Sequence, residues 1–402
     1  MKTRKIAVLL CVMTLCITGC SLPTPKGKTE TTKQETFADE LKYYDEYKDH
    51  LQYQYLNQDQ QHCYGLLYTT VRDAIDTDAT IEDDNGDSEP GVRVVMDVSL
   101  EKNEMSDLYE AFMMDNPQFF FLDRVYSLEG HEKDGEAIYD TLLIRFTSGL
   151  KKRQKAIQTL DGTVDEILRR CPDTDDEYEI EKFLYDYLID ACTYDNDAAN
   201  SNSSQYEDAY SAYGALVEGR AVCEGYAKAL QLLLREASIT ATVVMGYSVE
   251  DRESHMWNLV RINGAYYYAD ATWDDNDNFP QYTYLNVTLD ALQRTHELSN
   301  DRLTNILCDT TEYNYFVRNG TYLDTYERDE IAEAIASRVK AGDTVVQLQF
   351  APGKYENALL FLKNMSLTQR MTNTYLSSRI PLWDYSLTVN TKQSVITLIK
   401  NT

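Results

Sequence analysis

The sequence predicts an α+β chain, and three observations carry that expectation. The stretch "GRAVCEGYAKALQLLLREA", from Gly219 to Ala237, has Tyr226, Leu230, Leu233, Leu234 and Ala237 at helical spacing. It is followed by three short β-branched or aromatic runs, "TATVVMGYSV" (240–249), "HMWNLVRI" (255–262) and "YYYADATW" (266–273). Between the last two lies Asn263-Gly264, the strongest short hairpin signal because both residues tolerate positive φ.

The 402 residues allow about two or three domains. With 43% hydrophobic and 26% charged residues, the chain reads as globular. Its net charge of −28 argues against nucleic acid as a partner, since phosphate binding needs clustered Lys and Arg.

The amino terminus has its own logic. Lys2, Arg4 and Lys5 precede an apolar run from Ile6 to Leu15, which is short for a bilayer-spanning helix. Then comes "ITGC", ending at Cys20. Charge, apolar run and small residues before the cut give residues 1–19 the form of a secretory signal. The ending resembles a bacterial lipobox, which implies that Cys20 is lipidated and anchors an extracytoplasmic lipoprotein to the membrane. Residues 20–37 are polar, with Pro, Thr and Lys, and read as a flexible tether.

From Ala38 the texture changes. Residues 38–75 carry Tyr and Leu at helical spacing, and the acidic turn-rich stretch "DTDATIEDDNGDSEPG" follows. "VRVVMDVSL" (92–100) and "IYDTLLIRF" (138–146) read as strands, and "SDLYEAFMMDNP" (106–117) as a capped helix ended by Pro117. Residues 38–150 are thus expected to form an N-terminal α+β domain. Residues 151–315 are read as a helical lead-in, interrupted near Pro172, and a core. Residues 316–402 are read as a C-terminal α+β domain: a helix before Gly342, the strand "TVVQLQF", the helix "YENALLFLKN", and a hairpin of "WDYSLTV" with "SVITLI". The 31 tyrosines could form a sugar- or peptide-binding face, but more often such residues complete an amphipathic surface.

The chemistry centres on Cys223. It sits where the apolar helix begins, where backbone N–H groups are unpaired. The helix field there favours a thiolate, and the N–H groups can steady an oxyanion. A two-residue Asn-Gly turn pairs Ile262 with Ala265, and therefore Trp257 with Asp270 and His255 with Thr272. His255 and Asp270 then share a face as diagonal neighbours, about 7–8 Å apart between backbones and within side-chain reach. A carboxylate there holds an imidazole in one tautomer. Thiol, imidazole and carboxylate make the nucleophile, base and orienter of acyl transfer. Of the five histidines, His50, His62 and His131 lie in the N-terminal region, in polar or acidic surroundings.

Three stretches, "FLYDYLIDACTYD", "AYGALVEGRAVCEGYAKAL" and "HMWNLVRINGAYYYADATWDD", together resemble the bacterial transglutaminase-like superfamily over roughly residues 177–300. The segment "YTYLNVTLDALQRTHEL" fits the same resemblance. It implies a papain-like core with Cys223 as nucleophile, His255 as base and acid, and Asp270 as orienter. It also implies a thioester formed on a peptide or protein amide. Water as acceptor gives a peptidase or amidase, the first choice. An amine acceptor gives a crosslinking enzyme, and a non-catalytic binding module is the third reading. Location alone suggests cell-wall or surface-protein substrates.

No cofactor or metal is expected. The acidic runs "EDDNGD" (82–87) and "DDNDN" (274–278) do not fit a twelve-residue calcium loop, and no Cys/His cluster has zinc spacing. After removal of the signal and lipidation of Cys20, Cys63, Cys171, Cys192, Cys223 and Cys308 remain, an odd number. If Cys223 is free, the other four could pair in three ways or not at all.

Overall fold

A computed structural model describes residues 8–11, 42–83, 86–133, 135–201, 204–276, 279–299, 303–364 and 385–401. The lipid-bearing Cys20 and the tether 20–37 lie outside the described residues, as does the expected signal apart from Val8–Cys11. The chain divides into two compact units that interleave in sequence. One comprises residues 1–170, 194–236 and 241–243, the other 171–193, 237–240 and 244–402.

The first unit is built on an antiparallel sheet whose long hairpin, Leu122–Lys133 with Glu136–Phe146, lies between Val8–Cys11 on one side and Ser88–Glu101 with Thr80–Glu82 on the other. The helices Gln58–Ala74 and Lys102–Asp115 share its core. Gln58–Ala74 starts at a reciprocal cap, with the Asn57 side chain taking the Gln60 N–H and Gln60 taking that of Asn57. The helical signal over 38–75 resolves into this helix and two single turns, Tyr44–Tyr47 and Leu51–Gln54. The second helix begins at Lys102, earlier than Ser106, and ends before Asn116-Pro117.

The tyrosines do not finish the surface here. Tyr47, Tyr53, Tyr64 and Tyr68 are buried together, with ring centroids 4.9 to 5.4 Å from that of Tyr47. At that distance tilted and edge-on rings pack as a core, while the Tyr64 hydroxyl donates to Asp115 and the Tyr68 hydroxyl to Glu46.

The second unit contains a four-stranded antiparallel sheet in the order Ala265–Ala269, Ser254–Ile262, Ala241–Ser248, His296–Leu298, the first residues of Ala241–Ser248 clustering with the first unit. The Asn263-Gly264 turn forms with φ of 46° and 90°. It sets the expected register, with Ala265 opposite Ile262 and Ala269 opposite Asn258. There the ladder stops. The run 266–273 is not one strand: it ends at Ala269, and Ala271–Asp274 is a helical turn, so Trp257 and Asp270 do not pair. The helix Glu177–Ala191 contributes buried Tyr178, Leu184, Tyr185 and Leu188 to this unit.

A second sheet, ordered Tyr322–Leu323, Val345–Phe350, Val395–Lys400, Tyr385–Asn390, carries the helices Arg328–Ala341 and Tyr355–Lys363. The helix–strand–helix–hairpin order is the one expected of the tail. Gly342 closes its first helix in the left-handed conformation, at φ 105°.

Two glycines test this packing in opposite directions. A Cβ on Gly246 would sit 2.0 Å from the Glu297 carbonyl oxygen and 2.5 Å from the Trp257 ring, whereas one on helical Gly162 meets nothing within 4 Å. Gly246→Ala should therefore destabilise by roughly 1–3 kcal/mol through forced strand separation. Gly162→Ala should stabilise by about 0.5–1 kcal/mol through helix propensity. Urea midpoints of the two variants check both signs.

Candidate active site

Cys223 is the first residue of the helix Cys223–Glu236, in the first unit, and is half-buried. The helix is buried on every face from Glu224 to Leu234, rather than along one stripe, as an interior helix is. Its approach is tight. The Val222 N–H donates to the Ala209 carbonyl at 3.0 Å, and a Cβ on Gly225 would lie 2.5 Å from that same oxygen. Glycine is thus required for the segment Ser204–Tyr210 to lie against the first turn.

Beside that turn is an ion cluster in which Glu224 and Lys228 are buried and Arg124 and Glu207 half-buried. Glu224 pairs with Lys228 at 2.7 Å and with Arg124 at 3.7 Å, and Arg124 also reaches Glu207 at 3.3 Å. The Arg124 guanidinium lies 3.7 Å from the Tyr210 ring centroid. Such charges tolerate burial only because each has partners of opposite sign.

The structure brings His255 and Asp270 together in the second unit. His255 is the second residue of its strand, and its Nε2 lies 2.7 Å from Asp270 Oδ2, both side chains being buried. The end of the ladder at Ala269 makes this contact possible. Asp270 turns out of the sheet and caps the Ala271–Asp274 turn, its Oδ1 accepting the N–H groups of Thr272 at 3.0 Å and Trp273 at 3.2 Å. Oδ2 is left for imidazole. A carboxylate only accepts, so His255 donates from Nε2 and the lone pair of its neutral form is at Nδ1. Trp273 stacks on the His255 ring with centroids 5.1 Å apart.

Oδ2 has a second partner that the sequence reading passed over. His296 Nε2 lies 3.1 Å from the same oxygen, fully buried. Its signal was the "THEL" closing a segment already tied to the family resemblance. Burial by itself would raise the Asp270 carboxyl, but His255 and His296 outweigh it and hold Asp270 well below the usual carboxylate range. Burial lowers the His296 imidazole more than the Asp270 charge raises it. His255, Asp270 and His296 are the one group of potential metal ligands that converges among the described residues.

The remaining histidines have other work. His50 is buried among polar partners, its Nδ1 3.2 Å from the Tyr64 hydroxyl and its Nε2 2.7 Å from Arg235. His62 and His131 pair with Asp97 and Asp140. All of Cys63, Cys171, Cys192, Cys223 and Cys308 are free thiols, so no disulfide forms among them.

Residues 165–271 match the model of the transglutaminase-like superfamily, and Cys223, His255 and Asp270 all fall within the match. No curated protein matches the chain. Similar solved structures include a TGase, 17% identical over 48% of this chain and 53% of that one with a TM-score of 0.27. Another is a proposed cysteine protease from Cytophaga hutchinsonii, 18% identical over 37% and 56% with a TM-score of 0.23. The chain thus spans about half the length of each.

Next to Asp270 on the sequence side, Asp274 makes a pH test of this region. It is fully buried, accepting from the Tyr185 hydroxyl at 2.8 Å and the Tyr284 N–H at 2.9 Å, and burial together with the Asp270 charge pushes its carboxyl up to about 8. A carboxyl raised on folding from its usual value near ~4 contributes stability that is complete below that value and is lost as pH climbs to the folded one. Asp274→Asn removes this dependence while keeping an acceptor oxygen. The variant should gain on the wild type from about pH 5 to pH 8 in urea midpoints and level off above that; parallel profiles would contradict the assignment.

Proposed function

We propose, from the match of residues 165–271 to the model of the transglutaminase-like superfamily, that this chain is a thiol-dependent acyl-transfer enzyme acting on peptide or protein amides, with hydrolysis as its main outcome. The observation that carries the reading is the buried 2.7 Å contact between His255 Nε2 and Asp270 Oδ2, which orients an imidazole with Nδ1 as its basic nitrogen.

In this mechanism His255 Nδ1 takes the proton of the Cys223 thiol, and the sulfur attacks the amide carbonyl carbon. The carbonyl oxygen becomes an oxyanion, which the Cys223 N–H at the helix start is suited to receive. Collapse breaks the C–N bond, and the departing amine takes the proton from His255. Water then gives a proton to His255 as its oxygen attacks the thioester carbon; the C–S bond breaks, His255 returns that proton to the sulfur, and the product leaves as the carboxylic acid, which ionises in solvent. Asp270 stabilises the transient imidazolium throughout.

The site of action we propose is outside the cytoplasm, at the membrane, through lipid on Cys20. The support for this is the positive start, apolar run and "ITGC" ending of residues 1–20; no helix among the described residues is long and apolar enough to cross a bilayer. Cell-wall or surface-protein peptides are the substrates that location offers.

Two measurements test this. Cys223→Ala should abolish release of new amino termini or ammonia from peptide substrates, and Asp270→Asn should lower kcat by roughly 10²- to 10⁴-fold with little change in KM. Incorporation of a labelled primary amine in place of hydrolysis would move the reading to crosslinking, and an unreactive wild type to a binding module. Separately, Cys20→Ala should release the chain from membranes without amino-terminal lipid. A variant still lipidated there would defeat the anchor assignment.

A further inference from the structure

The hydrogen bonds behind Asp270 run further than a Cys-His-Asp arrangement requires, and their polarity can be read one atom at a time. The Ala291 carbonyl only accepts, so the group 2.9 Å from it is the Gln393 amide nitrogen, whose other N–H points to Thr295 Oγ1 at 3.3 Å. Thr295 Oγ1 is 2.9 Å from His296 Nδ1. His296 Nε2 must carry hydrogen, because Asp270 Oδ2 at 3.1 Å only accepts. The one hydrogen of the Thr295 hydroxyl has two acceptors in reach, the Leu292 carbonyl at 3.3 Å and His296 Nδ1 at 2.9 Å; Nδ1 of the neutral ring is the nearer, and the hydroxyl donates to it. Every member is buried: Gln393, Thr295, His296, Asp270 and His255.

We propose that His296 is a positioning residue for the acyl-transfer site, a neutral imidazole held in its Nε2–H form by Thr295 and Gln393 so that it pins Asp270 Oδ2 on His255 Nε2. The inference rests on the reading of His255 as base. With one oxygen spent on the helical turn and the other shared by two N–H donors, the carboxylate has no freedom to swing away as His255 takes and returns its proton. The charges also favour it: one buried carboxylate balances one imidazolium, so only one of the two rings is charged during turnover, and the more deeply buried His296 is the one kept neutral. Thr295, His296 and Gln393 all lie beyond the matched residues 165–271, so the relay belongs to this chain's carboxyl-terminal part.

The test uses the full-length chain. With ¹⁵N-labelled histidine, NMR should show His296 protonated at Nε2 and bare at Nδ1, and Thr295→Val should weaken that tautomer's dominance. An Nδ1–H tautomer in the wild type would overturn the proposal. This arm needs no turnover, so it stands apart from any failure of the acyl-transfer reading. In turnover, His296→Phe should lower kcat roughly 10- to 100-fold at unchanged KM, the size of one lost hydrogen bond to a charged group. His296→Gln, whose amide can donate from the Nε2 position, should recover most of the loss. Equal losses in both variants would reduce His296 to packing and overturn the assignment. So would stoichiometric binding of Zn²⁺ alone that vanishes in His296→Gln, since a metal in this cluster would replace the protons on which the relay depends.

Discussion

The division of one carboxylate between two tasks governs the unit of this protein that carries His255 and His296. Asp270 Oδ1 closes the turn that ends the hairpin, and Oδ2 receives two imidazole N–H groups. The first task fixes where the carboxylate is and the second fixes its charge. Burial of an acid this deep would ordinarily favour the neutral form. Here the hydrogen-bond donors and imidazole charge reverse that preference, whereas Asp274, with neutral donors and a neighbouring anion, goes the other way. Two aspartates four positions apart thus end in opposite states because their partners differ, not their burial.

Backbone constraints deliver these side chains. The positive φ at Asn263 and Gly264 sets the register as far as Ala269 opposite Asn258, and the turn that Asp270 caps then carries its carboxylate to His255. Gly246 lets the Trp257 ring lie on the neighbouring strand, and a T-shaped contact places that ring 4.8 Å from His296. In the first unit Gly225 performs a comparable service for the cysteine helix. None of these glycines touches the chemistry, yet each removes a Cβ that would push a functional element out of place.

The legible parts of the sequence were those set by local rules. The hairpin turn, its register, the helix starting at Cys223 and the order of elements in the tail follow from spacing and turn chemistry within a few residues. What escaped notice depends on distant partners. The strand His296–Leu298 is too short to show a period, and His296 acquires meaning only beside Asp270, twenty-six positions away. The run 266–273 reads as one strand because alternation does not register that an aspartate prefers to cap a turn. Tyrosine likewise looks amphipathic in sequence, and only the assembled core reveals that several are wholly interior.

Both halves of the candidate chemistry lean on residues outside the matched segment 165–271. In the first unit, Arg124, from the hairpin strand Leu122–Lys133, pairs with Glu224, the residue after Cys223, and spans to Glu207 over the Tyr210 ring. In the second, Gln393 sits between the last two strands and reaches Thr295. A buried charge or a buried amide is costly unless its partners are held in place, so each of these contacts requires its flanking sheet to be folded in one definite way. The amino- and carboxyl-terminal parts are therefore structural supports of the Cys223 helix and of the Asp270 carboxylate. Changes in the first sheet should reach Cys223 through Glu224, and changes in the second should reach His255 through Asp270.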